Sequence, residues 1–338
     1  MPLNPTVSLC LPVRDGGAPL EGALASLQAQ RHRAFELLVI DDGSVDGSAA
    51  LAGRVFQGDP RLRLLSPGAV GLVAALNLGL REARAPLVAR MDADDLAHPD
   101  RLSLQLAALE ADPRLDVVGA AIESFRVDAP LGEGFRLFDA WQNRLLSHEE
   151  MARERFIDVP LTHPTALFRR DKILALGGYR DMGWAEDYDL WLRAFERGLR
   201  FGKLPEVLLR WRDHGARFTR VDPRSAQGPS LRCKAHHLAR GPLASAPPLW
   251  IWGAGRVGRR LGRALAAEGL SVAGWIDIDP RKIGQRPDGV PVSAPTALPP
   301  PGAVSLLAAV GSRGAREAIR GTLLARGWEE GRHWWCAA

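Results

Sequence analysis

The sequence predicts an α/β protein, with a mostly parallel sheet flanked by helices and a second, smaller α/β domain behind it. Three observations predict this. Short apolar runs rich in β-branched residues alternate with amphipathic stretches between Val7 and Phe125. Two of those runs stop abruptly at acidic clusters, Asp41-Asp42 and Asp92/Asp94/Asp95. After Gly241–Pro248 (GPLASAPP), a stretch of proline, glycine and small residues, the pattern restarts around a glycine-rich turn. Apolar runs without polar alternation suit strands buried on both faces, as in a parallel sheet covered by helices.

Val7–Val13 (VSLCLPV) reads as a buried strand ending at a polar turn. Leu20–Gln30 has helical periodicity. Glu36–Ile40 (ELLVI) is a second buried strand running into Asp41-Asp42-Gly43-Ser44, with Ser44 or Asp46 placed to cap the next helix. Arg61–Leu65 reads as a strand, Gly71–Arg84 as a helix, and Pro86–Met91 as a strand ending at the second acidic cluster. Arg101–Ala111 is helical and Val117–Phe125 extended. Residues 126–160 resist assignment, apart from a charged, helix-like Ser147–Phe156. Thr165–Arg169 is apolar, Asp171–Leu176 is helical and ended by Gly177-Gly178, and Ala185–Gly198 is an amphipathic helix. Beyond the linker composition of 241–248 come a strand at Leu249–Trp252, a helix at Arg259–Glu268, and strands at Val272–Ile276 and Val304–Val310.

The chain has 338 residues, 46% hydrophobic and 25% charged, which suits two globular domains. The net charge is +5, nearly all of the positive charge being arginine; the lysines are Lys172, Lys203, Lys234 and Lys282. That excess is too small to indicate a nucleic-acid partner. Cys10, Cys233 and Cys336 are odd in number and far apart, without metal or redox spacing, and imply a reducing, cytoplasmic setting. Met1–Thr6 lacks the basic-then-apolar pattern of a signal peptide. No apolar run reaches the roughly 18 residues of a spanning helix. Peripheral contact at the inner face of the membrane and homo-oligomerisation stay open.

In an open α/β sheet, ligands bind beyond the carboxyl ends of the strands. Carboxylates clustered there repel one another unless a cation or donor group joins them. Asp-x-Asp at a strand end suits magnesium or manganese, which take oxygen ligands and often share them with substrate phosphates. Turn formation and helix capping are the plain alternatives for such aspartates.

The segments VSLCLPVRDG, LLVIDDGSVDGS, GLVAALNLGL, LVARMDADDLAHPDRL, HPTALFRR, LGGYRD and AEDYDLWLR resemble, in order and spacing, the family 2 glycosyltransferases of the GT-A fold. The resemblance spans about residues 6–215. It implies an inverting, metal-dependent transfer of a sugar from a nucleoside-diphosphate sugar, with UDP-sugars favoured, to a glycan, lipid-linked or protein acceptor hydroxyl. Asp41 and Asp42 match the position that contacts the nucleotide base or ribose. Asp92 and Asp94 match the pair that holds the cation and the donor diphosphate, and Asp95 follows them. Asp187 matches the expected general base for the acceptor hydroxyl.

Other positions carry alternatives. Pro12 and Arg14 stand where the first-strand loop meets the nucleotide. Asp15 replaces the asparagine of many relatives. Asn77 is placed either at the donor or in helix packing. Arg90 is placed for the donor diphosphate or for pairing with the neighbouring carboxylates. His163, Trp184 and Glu186 fall on the acceptor side, His163 with a structural hydrogen bond as its alternative and Trp184 with a sugar-stacking reading. Trp191, at helical spacing, reads as core. His214 matches a histidine that approaches the metal or pyrophosphate in relatives, with a surface loop as the alternative. Arg210, Arg212, Arg217 and Arg220 surround it as a basic stretch suited either to phosphates or to solvent.

In the second domain Gly253, Gly255 and Gly258 form G-x-G-x-x-G between a strand and a helix, where a phosphate can approach backbone amides. Asp277 ends the next strand, the place of a ribose-binding acid. This region resembles the nucleotide-sugar-binding domain of sugar acyltransferases and, more loosely, half of a Rossmann-like dinucleotide fold. A nucleotide-free interaction module is the alternative. The expected organisation is a GT-A domain over 1–240, a linker over 241–248 and a Rossmann-like nucleotide-binding-type domain over 249–338. Two other functions fit less well. Nucleotidyltransfer usually carries an N-terminal glycine-rich phosphate loop, which is missing. A non-catalytic nucleotide-sugar-binding or regulatory protein has no need of a base at Asp187.

Overall fold

The computed structural model describes residues 4–215 and 222–338, so Arg217 and Arg220 of the basic stretch lie outside the described residues. By internal contacts the chain divides into two compact units. The first takes the chain through Met151, Pro160–Met182 and the stretch from Asp189 past Arg212; the second takes Ala152–Val159, Gly183–Tyr188 and the stretch through Ala338.

The first unit is built on an eight-stranded sheet: β1 (Val7–Val13), β2 (Phe35–Asp41), β3 (Leu62–Leu65), β4 (Leu87–Arg90), β5 (Leu96–Ala97), β6 (Val117–Phe125), β7 (Leu167–Arg169) and β8 (Phe201–Arg212). The strand order is β3-β2-β1-β4-β7-β6-β8-β5. Strands β3, β2, β1 and β4 run parallel, β7 is antiparallel to both β4 and β6, and β8 is parallel to β6. The expected mostly parallel sheet is therefore present.

Burial explains the unalternating runs. In β1, Val7, Leu9, Leu11 and Val13 join a core with Leu20, Ala23, Leu24 and Leu27 of helix α1 (Pro19–Gln28). Cys10 faces the other way, where Gly79 of α3 (Leu72–Glu82) packs so closely that a β-carbon there would lie 3.1 Å from the Cys10 sulfur. Both faces of the strand are covered, so no position in it needs to be polar. Helices α2 (Ser48–Val55) and α4 (Arg101–Ala111) complete this half.

The segment that resisted assignment holds α5 (Glu133–Asn143) and α6 (His148–Glu154). Helix α5 lies against β6: the Asn143 side chain bonds both the N–H and the C=O of Ile122, and Asp139 accepts from the Ser124 N–H and hydroxyl. Next come α7 (Arg170–Ala175) and α8 (Glu186–Glu196). Trp191 of α8 is fully buried, as its spacing predicts, and its indole N–H donates to the Leu161 carbonyl.

The second unit carries α9 (Gln227–Arg240) and a wholly parallel five-stranded sheet. Its strands are β9 (Leu249–Trp252), β10 (Val272–Ile276), β11 (Val292–Ser293), β12 (Ser305–Ala308) and β13 (Trp334–Cys336), in the order β11-β10-β9-β12-β13. Helices α10 (Arg256–Ala267) and α11 (Ala315–Leu324) belong to it. The sequence marks β9, β10 and β12; β11 and β13, two and three residues long, are added by the structure. Trp328 and Trp334 pack in its core, and Glu154 there is ion-paired with Arg316 and Arg320. Among the described residues, no helix is long and apolar enough to cross a membrane.

Candidate functional site

Strands β1, β2 and β4 end on the same side of the first sheet, and the loops leaving β1 and β2 are stitched together. The Asp15 N–H donates to the Ser44 hydroxyl (3.0 Å), Gly16 N–H to the Ser48 hydroxyl (3.0 Å) and Gly17 N–H to Asp46 (2.9 Å). In return Asp15 accepts from the Val45 N–H at 2.8 Å. Asp15 adopts a φ of 50°, a left-handed conformation that aspartate and asparagine tolerate better than most residues. Its departure from the asparagine of relatives therefore keeps the turn chemistry.

Asp41 and Asp42 end β2 as expected, and both are buried. Asp41 accepts from the Ser44 N–H. One oxygen of Asp42 accepts from both the Val70 and Gly71 N–H groups, at 2.6 and 2.8 Å, fixing the loop that precedes α3. The remaining oxygens of both groups carry no hydrogen bond among the described residues. Pro12 is buried within β1, and Arg14 at the strand's end is exposed and free of hydrogen-bond partners among the described residues.

Asp92, Asp94 and Asp95 follow β4, with one oxygen from each within 4.8 Å of the others. Asp94 is also bonded to His214, Nε2 to Oδ2 at 2.9 Å. The histidine thus lies beside the acidic motif rather than loose in a surface loop. Asp95 is 1% exposed and accepts from the Arg212 backbone N–H, while the Arg212 Nε donates to the Asp94 carbonyl. These bonds fasten the end of β8 to the acidic turn and so deliver His214. The three carboxylates form a donor set that fits manganese or magnesium, with His214 bonded to one of them.

Behind the triad lie two buried guanidiniums. Arg90 donates to the Met91 carbonyl and, at 2.5 Å, to Asp92. Arg101 is fully buried and donates to the Arg90 carbonyl at 2.8 Å and to Gln105 at 3.2 Å. Burial pushes the Arg101 pKa down to about 9, Asp95 and Asp92 oppose the drop, and Arg90 adds to it. The sequence did hold a signal for this network: Arg101, Leu102, Gln105 and Leu109 share the buried stripe of α4, two polar residues where apolar ones belong.

At three positions that carried two readings from the sequence, the side chain is engaged in packing or pairing. Asn77 is committed to packing, because its amide donates to the Tyr179 carbonyl and accepts from the Tyr179 N–H, both at 2.9 Å. His163 takes the structural alternative: it is buried, bonded to the Tyr179 hydroxyl at 2.8 Å, and burial holds its pKa well below the usual range. Arg90, considered for the donor diphosphate, is 3% exposed and turned onto Asp92.

In the second unit Asp187 is half-buried as the second residue of α8, and its carboxylate accepts from the Tyr188 N–H. Neighbouring Glu186 is 8% exposed. Trp184, read as a sugar platform, is 6% exposed and packs on the His236 ring instead, centroids 5.3 Å apart.

The glycine turn of this unit joins β9 to α10. A β-carbon at Gly253 would lie 2.6 Å from the Ala309 carbonyl oxygen, and one at Gly258 would lie 1.9 Å from that of Gly253. Both glycines are therefore required by close backbone approach. A β-carbon at Gly255 would meet only the Lys282 ammonium, at 3.7 Å. Asp277 is buried, and its carboxylate is engaged by the Ala254 N–H, the Asp279 N–H and Lys282 at 2.9 to 3.0 Å. It shapes the glycine turn itself, which the ribose reading did not foresee.

Comparison with known proteins agrees with this geometry. The profile of glycosyl transferase family 2 matches residues 8–177. The amylovoran biosynthesis glycosyltransferase AmsE of Erwinia amylovora is 32% identical over 194 residues, 57% of this chain and 70% of its own. An Escherichia coli UDP-Gal:alpha-D-GlcNAc-diphosphoundecaprenol beta-1,3-galactosyltransferase is 26% identical over 207 residues, 60% of this chain and 72% of that one. Among solved structures, residues 1–349 of Staphylococcus aureus TarS share the fold with a TM-score of 0.54 at 17% identity, covering 70% of this chain and 66% of that one. With half of its length matched by the family profile, and with the acidic strand ends in place, this chain belongs to glycosyl transferase family 2.

Proposed function

We propose that this enzyme transfers a sugar from a nucleoside-diphosphate sugar to a glycan or lipid-linked acceptor hydroxyl in polysaccharide assembly, with inversion and with a divalent cation. The observation that carries the reading is the acidic turn after β4, with His214 held 2.9 Å from Asp94. The relatives' names support the substrate classes: a polysaccharide-forming enzyme in one case, a UDP-galactose donor and a lipid-diphosphate acceptor in the other.

Asp94, His214 and Asp92 would hold manganese or magnesium, which supplies positive charge against the departing diphosphate. Asp41, Asp42, Pro12 and Arg14 border the nucleoside, with the spare carboxylate oxygens able to accept from base or ribose. Asp187 takes the proton of the acceptor hydroxyl, Glu186 lies beside it on the acceptor side, and the freed oxygen forms its bond to the anomeric carbon. The bond from that carbon to the phosphate oxygen breaks, and the nucleoside diphosphate leaves with the electron pair.

The proposed organisation is a GT-A domain through about residue 240, a linker over 241–248 and a nucleotide-binding-type domain over 249–338, similar to that of sugar acyltransferases. Helix α9 groups by contact with the second unit, so the packing boundary precedes the linker. In that domain Gly253, Gly255 and Gly258 would present the α10 N-terminus to a phosphate, with Asp277 and Lys282 shaping the turn.

Release of nucleoside diphosphate from UDP-, GDP- and dTDP-sugars with manganese tests the main reading. Asp94→Asn and Asp187→Asn should each lower turnover by about 100-fold or more. Turnover unaffected by either change would sink the proposed site.

A further inference from the structure

We infer that Arg90 is a positioning residue that serves as a built-in counter-cation of the acidic turn, weakening it for a bare divalent cation and making tight binding depend on the donor diphosphate. The inference rests on the cation-dependent reading above. Four observations support it. Arg90 lines a small cavity together with Cys10, Leu76, Leu80, Val88, Phe168 and Tyr179, a mostly apolar setting for a guanidinium. The residue is 3% exposed, so its charge must be met by protein groups. Its outer end donates to the Met91 carbonyl and, at 2.5 Å, to Asp92, the first carboxylate of the motif. A second buried cation, Arg101, donates to the Arg90 carbonyl and lies within electrostatic reach of Asp92 and Asp95.

Three carboxylates set against the guanidiniums of Arg90, Arg101 and Arg212 leave the turn close to neutral before His214 is counted. A turn of three uncompensated carboxylates would attract a divalent ion strongly by itself. With its charge largely met from behind, the turn gains most when a diphosphate adds negative charge from the other side. Asp92, fixed by Arg90, is then held in one orientation, while Asp94 and His214 lie together at the turn.

The sign of the effect separates this role from a merely structural one. Manganese binding to the full-length protein is measured by calorimetry without nucleotide, and again with UDP or GDP. Arg90→Met and Arg90→Gln, which keep much of the stem but not the charge, should bind the bare ion about tenfold more tightly. They should also lose most of the tightening that the nucleotide gives the wild type. Arg90→Lys, which keeps a basic group beside Asp92, should bind the bare ion less tightly than the two charge-free variants. In a folded charge-free variant, unchanged or weaker binding of the bare ion would overturn the role of Arg90. So would failure of both charge-free variants to fold by circular dichroism, since Arg90 would then serve the fold alone. Absence of manganese binding by the wild type, with or without nucleotide, would instead overturn the reading of the site itself.

Discussion

Lys203 brings an ammonium into the first unit at 6% exposure, where its acceptors are two backbone carbonyls, of Gln142 at 2.6 Å and Pro160 at 2.8 Å. Burial pushes its pKa down from 10.5 to about 7. The unfolded chain binds that proton near the ordinary value, so between the two values the unfolded state holds more protons than the folded one. The stability this residue contributes is therefore fully present above about pH 10.5, is lost as pH falls toward about 7, and is level below that. Melting temperatures of wild type and Lys203→Met should diverge across this window, the wild type losing ground as pH falls; a constant difference from pH 10 to pH 7 would contradict it. Nothing in the sequence marks Lys203, because a lysine in a strand reads as solvent-facing until its neighbours are known. The aspartates were legible for the opposite reason. Asp41, Asp42, Asp92 and Asp94 stop apolar strands, and in a parallel sheet strand ends converge on ligands. Arg90 was legible only as a choice between two partners, and burial made the choice.

Helix α3 and the turn after α7 are joined by one side chain. Asn77 offers its amide to the Tyr179 backbone as another strand would, and a β-carbon at Gly178 would lie 2.4 Å from its Oδ1. Asn77→Ala should therefore cost about 2 kcal/mol, because two partly buried backbone groups lose their partners. Chemical denaturation reads this directly, and a change below about 0.5 kcal/mol would show the turn to be held by packing alone. Elements with a strong local pattern were readable: α4 spans Arg101–Ala111 and β6 spans Val117–Phe125, as the periodicity predicts. Helix α5 was not. It contains Gly134 and follows Pro130 and Gly132, and Phe138 finds its stacking partner in Trp211 of β8, ring centroids 5.7 Å apart. A contact so distant in sequence leaves no trace in a local window.

At the scale of the whole chain, two sheets carry two glycine- or aspartate-lined strand ends, and a second nucleotide site is the open consequence. Gly255→Asp tests it on the full-length protein. A β-carbon there meets only ordinary contact, so the variant should fold while placing a carboxylate where a phosphate would lie. Equilibrium dialysis with UDP, GDP and adenine nucleotides should give two sites per wild-type chain and one in the variant. One site in both would leave the second unit as an interaction module. The size of that unit was the least legible part of the molecule, since β11 and β13 are too short to show periodicity. The stitched loops of the first unit bear on how such a chain can diverge. Asp15, Gly16 and Gly17 hang on Ser44, Ser48 and Asp46, and Asp42 holds Val70 and Gly71. A lineage changing its nucleotide preference there cannot redraw one loop alone. Each substitution shifts the seat of the next, so these loops are expected to drift in concert, as one inherited unit.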